Sequence, residues 1–490
     1  MSETKENLSL RIKNIFNYGF GTYTGLITFI IAYLILVILF LGSFSEPVEK
    51  ILGFSLINID LSEETRVGRI IMLYHSIAMP FLAAVVFFIL DLFPIRKRAE
   101  SHVKWPLFYG SMLTSVSGLT YAYIFQENMI LHGLFVVGLS LVWYSGMAFV
   151  VGVWPTKSFP ESKEGPIIGK INLENLNLVL VGLSLIVTAT LGAIVGANFG
   201  NPDSALNFEA FIAEARVRID HSGFTPEAVY VRMIVAHLHI MLALIDAAIL
   251  LIAFKFTKTK GKWYLVAQIA IIPGILITDA GGWLVPADVE SAHMIINVGV
   301  SILILASIVL IVDGFRKVSK KVLGEKYDEA PFYKKFLAIF KDSVLSGLYF
   351  LFIWVNLVVT VPGIYIALNL DEVRAGPFEL EYAYNVGHWH VLATLSAMMI
   401  LLMYIDSIRI KKKWIREILG WGITIGSTFA FGFVMFYMLK WPDMSAWYMY
   451  LTDVGIVLIL TAIGIFCVYQ LVKIIQSKVY KEKISIDLEE

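Results

Sequence analysis

Twelve apolar stretches, each long enough to cross a bilayer and each bounded by charge or by Gly/Pro, constrain this chain more than anything else in it. They run over roughly 22–44, 70–94, 106–125, 129–153, 173–197, 230–254, 264–285, 292–313, 344–368, 385–406, 417–438 and 449–475. Stretches of about twenty residues have the length of a spanning helix, so the expected fold is all-α and polytopic, a single membrane domain over 1–490 with twelve helices and no soluble module. Hydrophobic residues make up 58% of the chain and charged residues 16%, a balance that no soluble globular class shows. The first stretch is too long for a signal-peptide core and lacks a small-residue cleavage site, so it reads as a retained helix.

Basic residues cluster at 96–104, 255–262, 316–341 and 409–416, all on alternate connections, while 45–69, 198–229 and 369–384 are acidic or mixed. The positive-inside rule then puts both termini in the cytoplasm, with the chain in the cytoplasmic (inner) membrane. No nucleic-acid partner is expected. The one cysteine, Cys467, lies in an apolar run, which excludes disulfides and thiolate clusters within the chain; no Cys-x-x-Cys-His occurs, which excludes covalent haem attachment.

Histidines carry the chemistry. The chain has 9, and five of them (His75, His237, His239, His388 and His390) fall within the first three turns of the second, sixth and tenth stretches. The segments RIIMLYHS, VRMIVAHLHI and YNVGHWHV can be laid over one another at intervals of about 160 residues, and His75 stands to Asp91 as His390 stands to Asp406. A pseudo-threefold array of four-helix units is the simplest reading. Within one His-x-His the rings point about 200° apart on a helix, so both cannot bind one iron from the same side, and each motif serves two neighbours. Neutral imidazole suits haem iron, and an uncoordinated polar ring is costly inside a membrane. Interhelical hydrogen bonding or a transporter pore explains one such ring more readily than five at one depth.

The run Val386-Gly387-His388-Trp389-His390, with Gly68-Arg69 and His75 opening the second helix, resembles the catalytic subunit of the heme-copper oxidase superfamily, with C-family cytochrome oxidases and nitric oxide reductases the closest branches. The resemblance implies that His75 and His390 sandwich a low-spin haem and that His388 is proximal ligand to a second. It puts His237 or His239 where the family places its first ligand to copper or non-haem iron. This chain departs from the pattern: 264–285 contains no histidine, the tyrosine that some oxidases join to a copper ligand has no obvious counterpart, and Lys440 and Trp441 stand where many relatives place two arginines. Copper is therefore not expected.

Two readings of the sixth-helix pair stay open. In the first, His237 or His239 lies opposite His388 and closes the second haem, making an electron-transfer protein. In the second, one of them joins His293, with Asp279 or Glu290, to bind non-haem iron beside a five-coordinate haem; His293 and His132 sit at matching depths. The first is preferred. Asp279, Asp288 and Glu290 are expected near the outer surface as solvated carboxylates. Arg69 and Arg232 stand about two turns outward of the histidines and suit haem propionates; Arg374 and Lys440 are weaker candidates. Asp246, deep in the sixth helix, is a proton relay or an interhelical tie. Asp91 and Asp406 are expected at solvated helix ends, and His102 and His221 in loops without function. The expected protein thus holds two haem b groups near the outer face and serves a respiratory chain. Its partners are quinol or an outer-side electron-transfer protein, other respiratory subunits and the lipid bilayer. The alternatives are a terminal nitric oxide or oxygen reductase with a non-copper second metal, and a non-haem secondary transporter. A transporter of the broken-helix type would pair its interrupted helices between two halves, which Pro273 and Pro362 do not.

Overall fold

The computed structural model describes residues 23–52, 66–125, 128–155, 165–199, 226–287, 291–368, 378–439 and 447–480. Their long helices are α1 (Tyr23–Leu52), α2 (Arg66–Leu92), α3 (Lys97–Tyr123), α4 (Met129–Val153), α5 (Leu173–Phe199), α6 (Pro226–Phe256), α7 (Lys262–Leu284) and α8 (Ala292–Leu323). After a short α9 (Phe332–Ile339) follow α10 (Ser343–Val355), α11 (Val361–Leu368), α12 (Phe378–Ser407), α13 (Lys413–Leu439) and α14 (Trp447–Tyr480). Among the described residues 9 helices are long and apolar enough to cross a membrane, and the chain is an all-α integral membrane protein.

Local chemistry explains the irregular points. The axis of α10 continues into α11 through a π-helical turn, Asn356–Thr360, in which the Val361 amide bonds back to the Asn356 carbonyl. Pro362 follows at once and has no amide to give, so the wider turn absorbs the lost α-helical bond. Asn356 Nδ2 donates to Ser307 Oγ of α8 at 2.9 Å, tying the turn to its neighbour. Pro273, by contrast, sits inside a continuous α7. Two strands of two residues, Ile167–Ile168 and Ile171–Asn172, pair antiparallel before α5. The turn between them needs the left-handed backbone of Gly169, φ +62°. His102, expected in a loop, is helical because α3 begins at Lys97, and its Nδ1 lies 2.9 Å from the exposed Tyr144 hydroxyl.

Three helices form the centre: α2, α6 and α12 each pack against the other two. Residues 247–254 of α6 and 397–405 of α12 are buried without a break. A helix apolar all round is stable only when neighbours cover it on every side. These are also the three helices that carry the five histidines.

Around the centre stand three tight pairs, α3 with α4, α7 with α8, and α13 with α14, and all three are built on the same device. A Cβ on Gly110 would meet the Gly138 carbonyl at 2.7 Å, one on Gly299 the Gly274 carbonyl at 2.9 Å, and one on Gly455 the Gly426 carbonyl at 2.7 Å. Only glycine lets backbones approach this closely. Gly110, Gly274 and Gly426 recur at intervals of about 160 and about 150 residues, matching those of His75, His239 and His390 to within a residue.

The basic connections meet at one end of the bundle. Arg96 donates to the carbonyls of Val151 and Trp154, Lys255 pairs with Glu174, and Lys317 donates to the Thr257 carbonyl. Asp342, which caps α10 through the Leu345 amide, pairs with Lys321 and with Arg416, and Arg416 also holds Asp406 at 2.6 Å. Asp406 is therefore an ion-paired group, not merely a solvated one. Burial pushes the Asp342 carboxyl up, but Lys321 and Arg416 outweigh it and hold it below the usual carboxylate range. A carboxylate with a depressed folded-state pKa stabilises the fold fully above its unfolded value and stops doing so as pH falls through the folded one. Asp342→Asn keeps the cap and removes the charge. It should cost about 1–3 kcal/mol at neutral pH, with the deficit shrinking as pH falls well below about 3.9. Thermal unfolding of both proteins in detergent across that range checks this; a deficit independent of pH would refute the role of the charge.

Candidate cofactor-binding site

The histidine end lies opposite the basic end, and two ring pairs are built there. The first joins α2 to α6: the His75 and His237 ring centres are 6.5 Å apart and the planes differ by 17°. His237 Nδ1 lies 2.9 Å from the Thr188 carbonyl of α5. A carbonyl only accepts, so Nδ1 carries the proton, and in the neutral ring Nε2 is left with its lone pair. Fixing the tautomer through a backbone carbonyl in this way is how ligating histidines are oriented. Gly192, one turn beyond Thr188, makes room for the ring: a Cβ there would lie 2.5 Å from His237 Cε1.

His75 also meets Phe135 of α4 edge-on at 5.9 Å, and Phe135 in turn lies parallel to His132 at 6.5 Å. His132 stands beside Tyr121 of α3. It belongs to an aromatic cluster behind His75.

The second pair joins α6 to α8. His239 and His293 have ring centres 6.5 Å apart and nearly perpendicular planes, 86°. Two residues along one helix thus face opposite ways, His237 toward α2 and α5 and His239 toward α8, as the helical periodicity requires.

Two histidines are too few for the tetrahedral or octahedral shell of a bare ion. Among the described residues no group of three or more His, Cys, Asp or Glu comes together to hold one. A porphyrin iron brings four nitrogens of its own and asks the protein for one or two axial rings. With metal–nitrogen bonds of about 2 Å, two imidazole centres across one iron stand roughly 6 Å apart, close to the His75–His237 separation of 6.5 Å. In ring-centre separation the pair matches an axial set.

The remaining expected site residues divide clearly. His388 and His390 lie on α12, and Arg69 and Arg232 on α2 and α6, but their side chains fall outside the described ones, as do Arg374, Lys440, His221, Asp288 and Glu290 altogether. Asp246 accepts from Ser396 of α12, so it is tied to a neighbouring helix. Asp91 at the end of α2 accepts from Thr24 of α1. Asp279 is not the solvated surface carboxylate expected: it is 9% exposed and accepts from Ser184 of α5. It joins no metal group with His239 and His293. Sequence reasoning missed Thr188 and Gly192 altogether, because nothing in α5 marks which carbonyl or glycine a ring from α6 will meet. No protein-family model matches this chain, and no curated protein matches it either.

Gly192→Ala puts a methyl where the His237 ring lies. It should reduce occupancy of whatever group His237 ligates, with helical content unchanged by circular dichroism. A variant that retains cofactor in full would show that the ring is not held by this contact.

Proposed function

We propose that this chain is a membrane redox protein of the respiratory type, a divergent relative of the heme-copper oxidase catalytic subunits. It holds two b-type haems near its outer face and passes electrons through them. In this reading twelve helices form three four-helix units, with both termini cytoplasmic in an inner membrane. The three glycine crossings and the central α2–α6–α12 trio support the threefold plan. The meeting of all basic connections at one end supports the orientation.

The observation that carries the haem reading is the His75–His237 pair with its Thr188 anchor. His75 and His237 would hold one haem, and His239 with His388 or His390 would hold the other. The sandwich implied by resemblance, His75 with His390, is the competing assignment. Bound haem supplies one-electron chemistry. The chain's own part is to hold the axial rings in one tautomer, to cover them with Phe135 and the α5 backbone, and to offer Arg69 and Arg232 to propionates. Electrons come from quinol at the membrane edge or from an outer-side protein, and leave to other respiratory subunits.

A second reading has one observation in its favour. The His239–His293 pair is half of a non-haem iron site of the kind a nitric oxide or oxygen reductase needs.

Pyridine haemochrome assay of purified protein should give about two haems per chain, with no stoichiometric copper, and carbon monoxide should leave the reduced spectrum unchanged. Carbon monoxide binding together with about one non-haem iron per chain would favour the reductase. Absence of haem after expression with ample haem supply would overturn both and revive the transporter. His75→Ala and His237→Ala should each abolish the same low-spin signal, and the double variant should lose no more than either, because the two act as a unit. If His75→Ala shares its loss with His390→Ala instead, α12 supplies the partner.

A further inference from the structure

The connection from α8 to α10 carries a helix that packs the wrong way round for a soluble surface. A helix lying on a protein normally turns its apolar stripe inward. In α9 the packed side is Ala338, 4% exposed, with Lys335 and Ile339 half-buried beside it, while Phe332, Tyr333, Phe336 and Leu337 are all exposed, Phe332 by 83%. At about 100° per residue those four span an arc of about 140°, and Lys334 and Lys335 fall about 60° beyond its two edges. An apolar face framed by lysines is the pattern of a helix lying in a membrane interface, with rings in the acyl boundary and ammonium groups among the headgroups.

Three contacts place α9 at that level and hold it there. Ser346, one turn into α10, donates to the Ile339 carbonyl, so α9 ends level with the beginning of the apolar run of α10. Phe340, which caps α9, stacks on Trp421 at 6.2 Å. Trp421 stands eight residues into α13, as deep as the exposed Trp105 stands in α3, and tryptophans gather at the boundary between membrane and water. Ser319 of α8 donates to the Lys335 carbonyl at 2.7 Å, and the Lys335 ammonium lies over the Tyr327 ring at 4.7 Å. The helix cannot roll to bury its outward face without breaking these bonds.

Charge selects the surface that covers it. Residues 316–341 carry eight basic side chains and three acidic ones in a chain whose net charge is zero, and Lys411, Lys412 and Lys413 are exposed at the same end. A second copy of the chain would bring the same positive charge against them. An acidic leaflet brings the opposite charge, at the depth where the rings lie.

We infer that α9 is an interfacial anchor that docks its Phe332–Leu337 face into a leaflet of anionic lipid, with the exposed Lys334 and Lys341 on the headgroups. The docked helix pins the corner between α8 and α10, which Lys321, Asp342 and Arg416 close from within. Neither haem nor the direction of electron flow enters this inference, so it stands or falls apart from the redox reading.

Its test uses the whole chain in lipid nanodiscs, whose two faces are both open. Cys467 is the one native cysteine, so Cys467→Ala gives a background in which Phe336→Cys, or Glu325→Cys as the aqueous control, takes a bimane label. Acrylamide, an uncharged aqueous quencher, reads exposure. With phosphatidylglycerol as roughly a third of the lipid, quenching at 336 should be at least about fivefold weaker than at 325. Lipid carrying a nitroxide near the top of its acyl chain should quench 336 and spare 325. In phosphatidylcholine alone, or with Lys334→Gln and Lys341→Gln together, acrylamide quenching at 336 should rise severalfold, since each lysine at an anionic surface contributes about fivefold in binding. Full acrylamide quenching at 336 in both lipids overturns the anchor. Protection that is equal in both lipids and indifferent to the two lysines overturns anionic lipid as its partner. A Phe336→Cys disulfide between chains under mild oxidation, with no quenching by the nitroxide lipid, shows that a second copy covers the face and overturns the inference as well.

Discussion

A backbone inside hydrocarbon has no water to bond, and helices surrounded by lipid gain little by hiding apolar side chains from it. What holds such helices is close packing, and here that depends on three glycine crossings. Gly110 against Gly138, Gly274 against Gly299 and Gly426 against Gly455 bring paired backbones together with no room for a Cβ. Beside two of them a threonine turns its hydroxyl onto its own helix, Thr114 to the Gly110 carbonyl and Thr278 to the Gly274 carbonyl, each at 2.8 Å. The hydroxyl is satisfied locally, and the helix face stays narrow.

With the outer helices clamped in pairs, residues 247–254 of α6 and 397–405 of α12 are enclosed. Several polar groups of the three central helices are met across seams: Ser115 of α3 donates to the Ser76 carbonyl of α2, Asp246 of α6 accepts from Ser396 of α12, and Gln470 of α14 donates to the Tyr404 hydroxyl of α12. Each such bond costs desolvation and returns orientation, since a helix cannot rotate without breaking it. The rings of His75, His237 and His239 therefore sit on helices that are fixed about their own axes.

Much of the fold was legible from residues alone because hydrocarbon permits so few structures. The apolar runs marked the helices to within a few residues at most ends, and the alternation of basic connections marked one end. Where local chemistry competed, boundaries moved: α3 starts early enough to make His102 helical, and Pro362 forces a π turn within what reads as one continuous span. Asp279 was misjudged because its distance from the helix end says nothing about Ser184, which α5 brings to it.

For the site, sequence alone determined which side chains had metal-binding chemistry, that they share a depth, and that neighbours in His-x-His must face apart. Those facts follow from residue type and helical periodicity, which are local. Only the tertiary structure decided who faces whom. It set His237 beside His75 and against the Thr188 carbonyl, set His239 beside His293, and tied α5 to α7 through Asn177–Gln268 and Ser184–Asp279. Contacts between helices distant in the chain arise from how small residues let them cross, and no run of neighbouring residues encodes that.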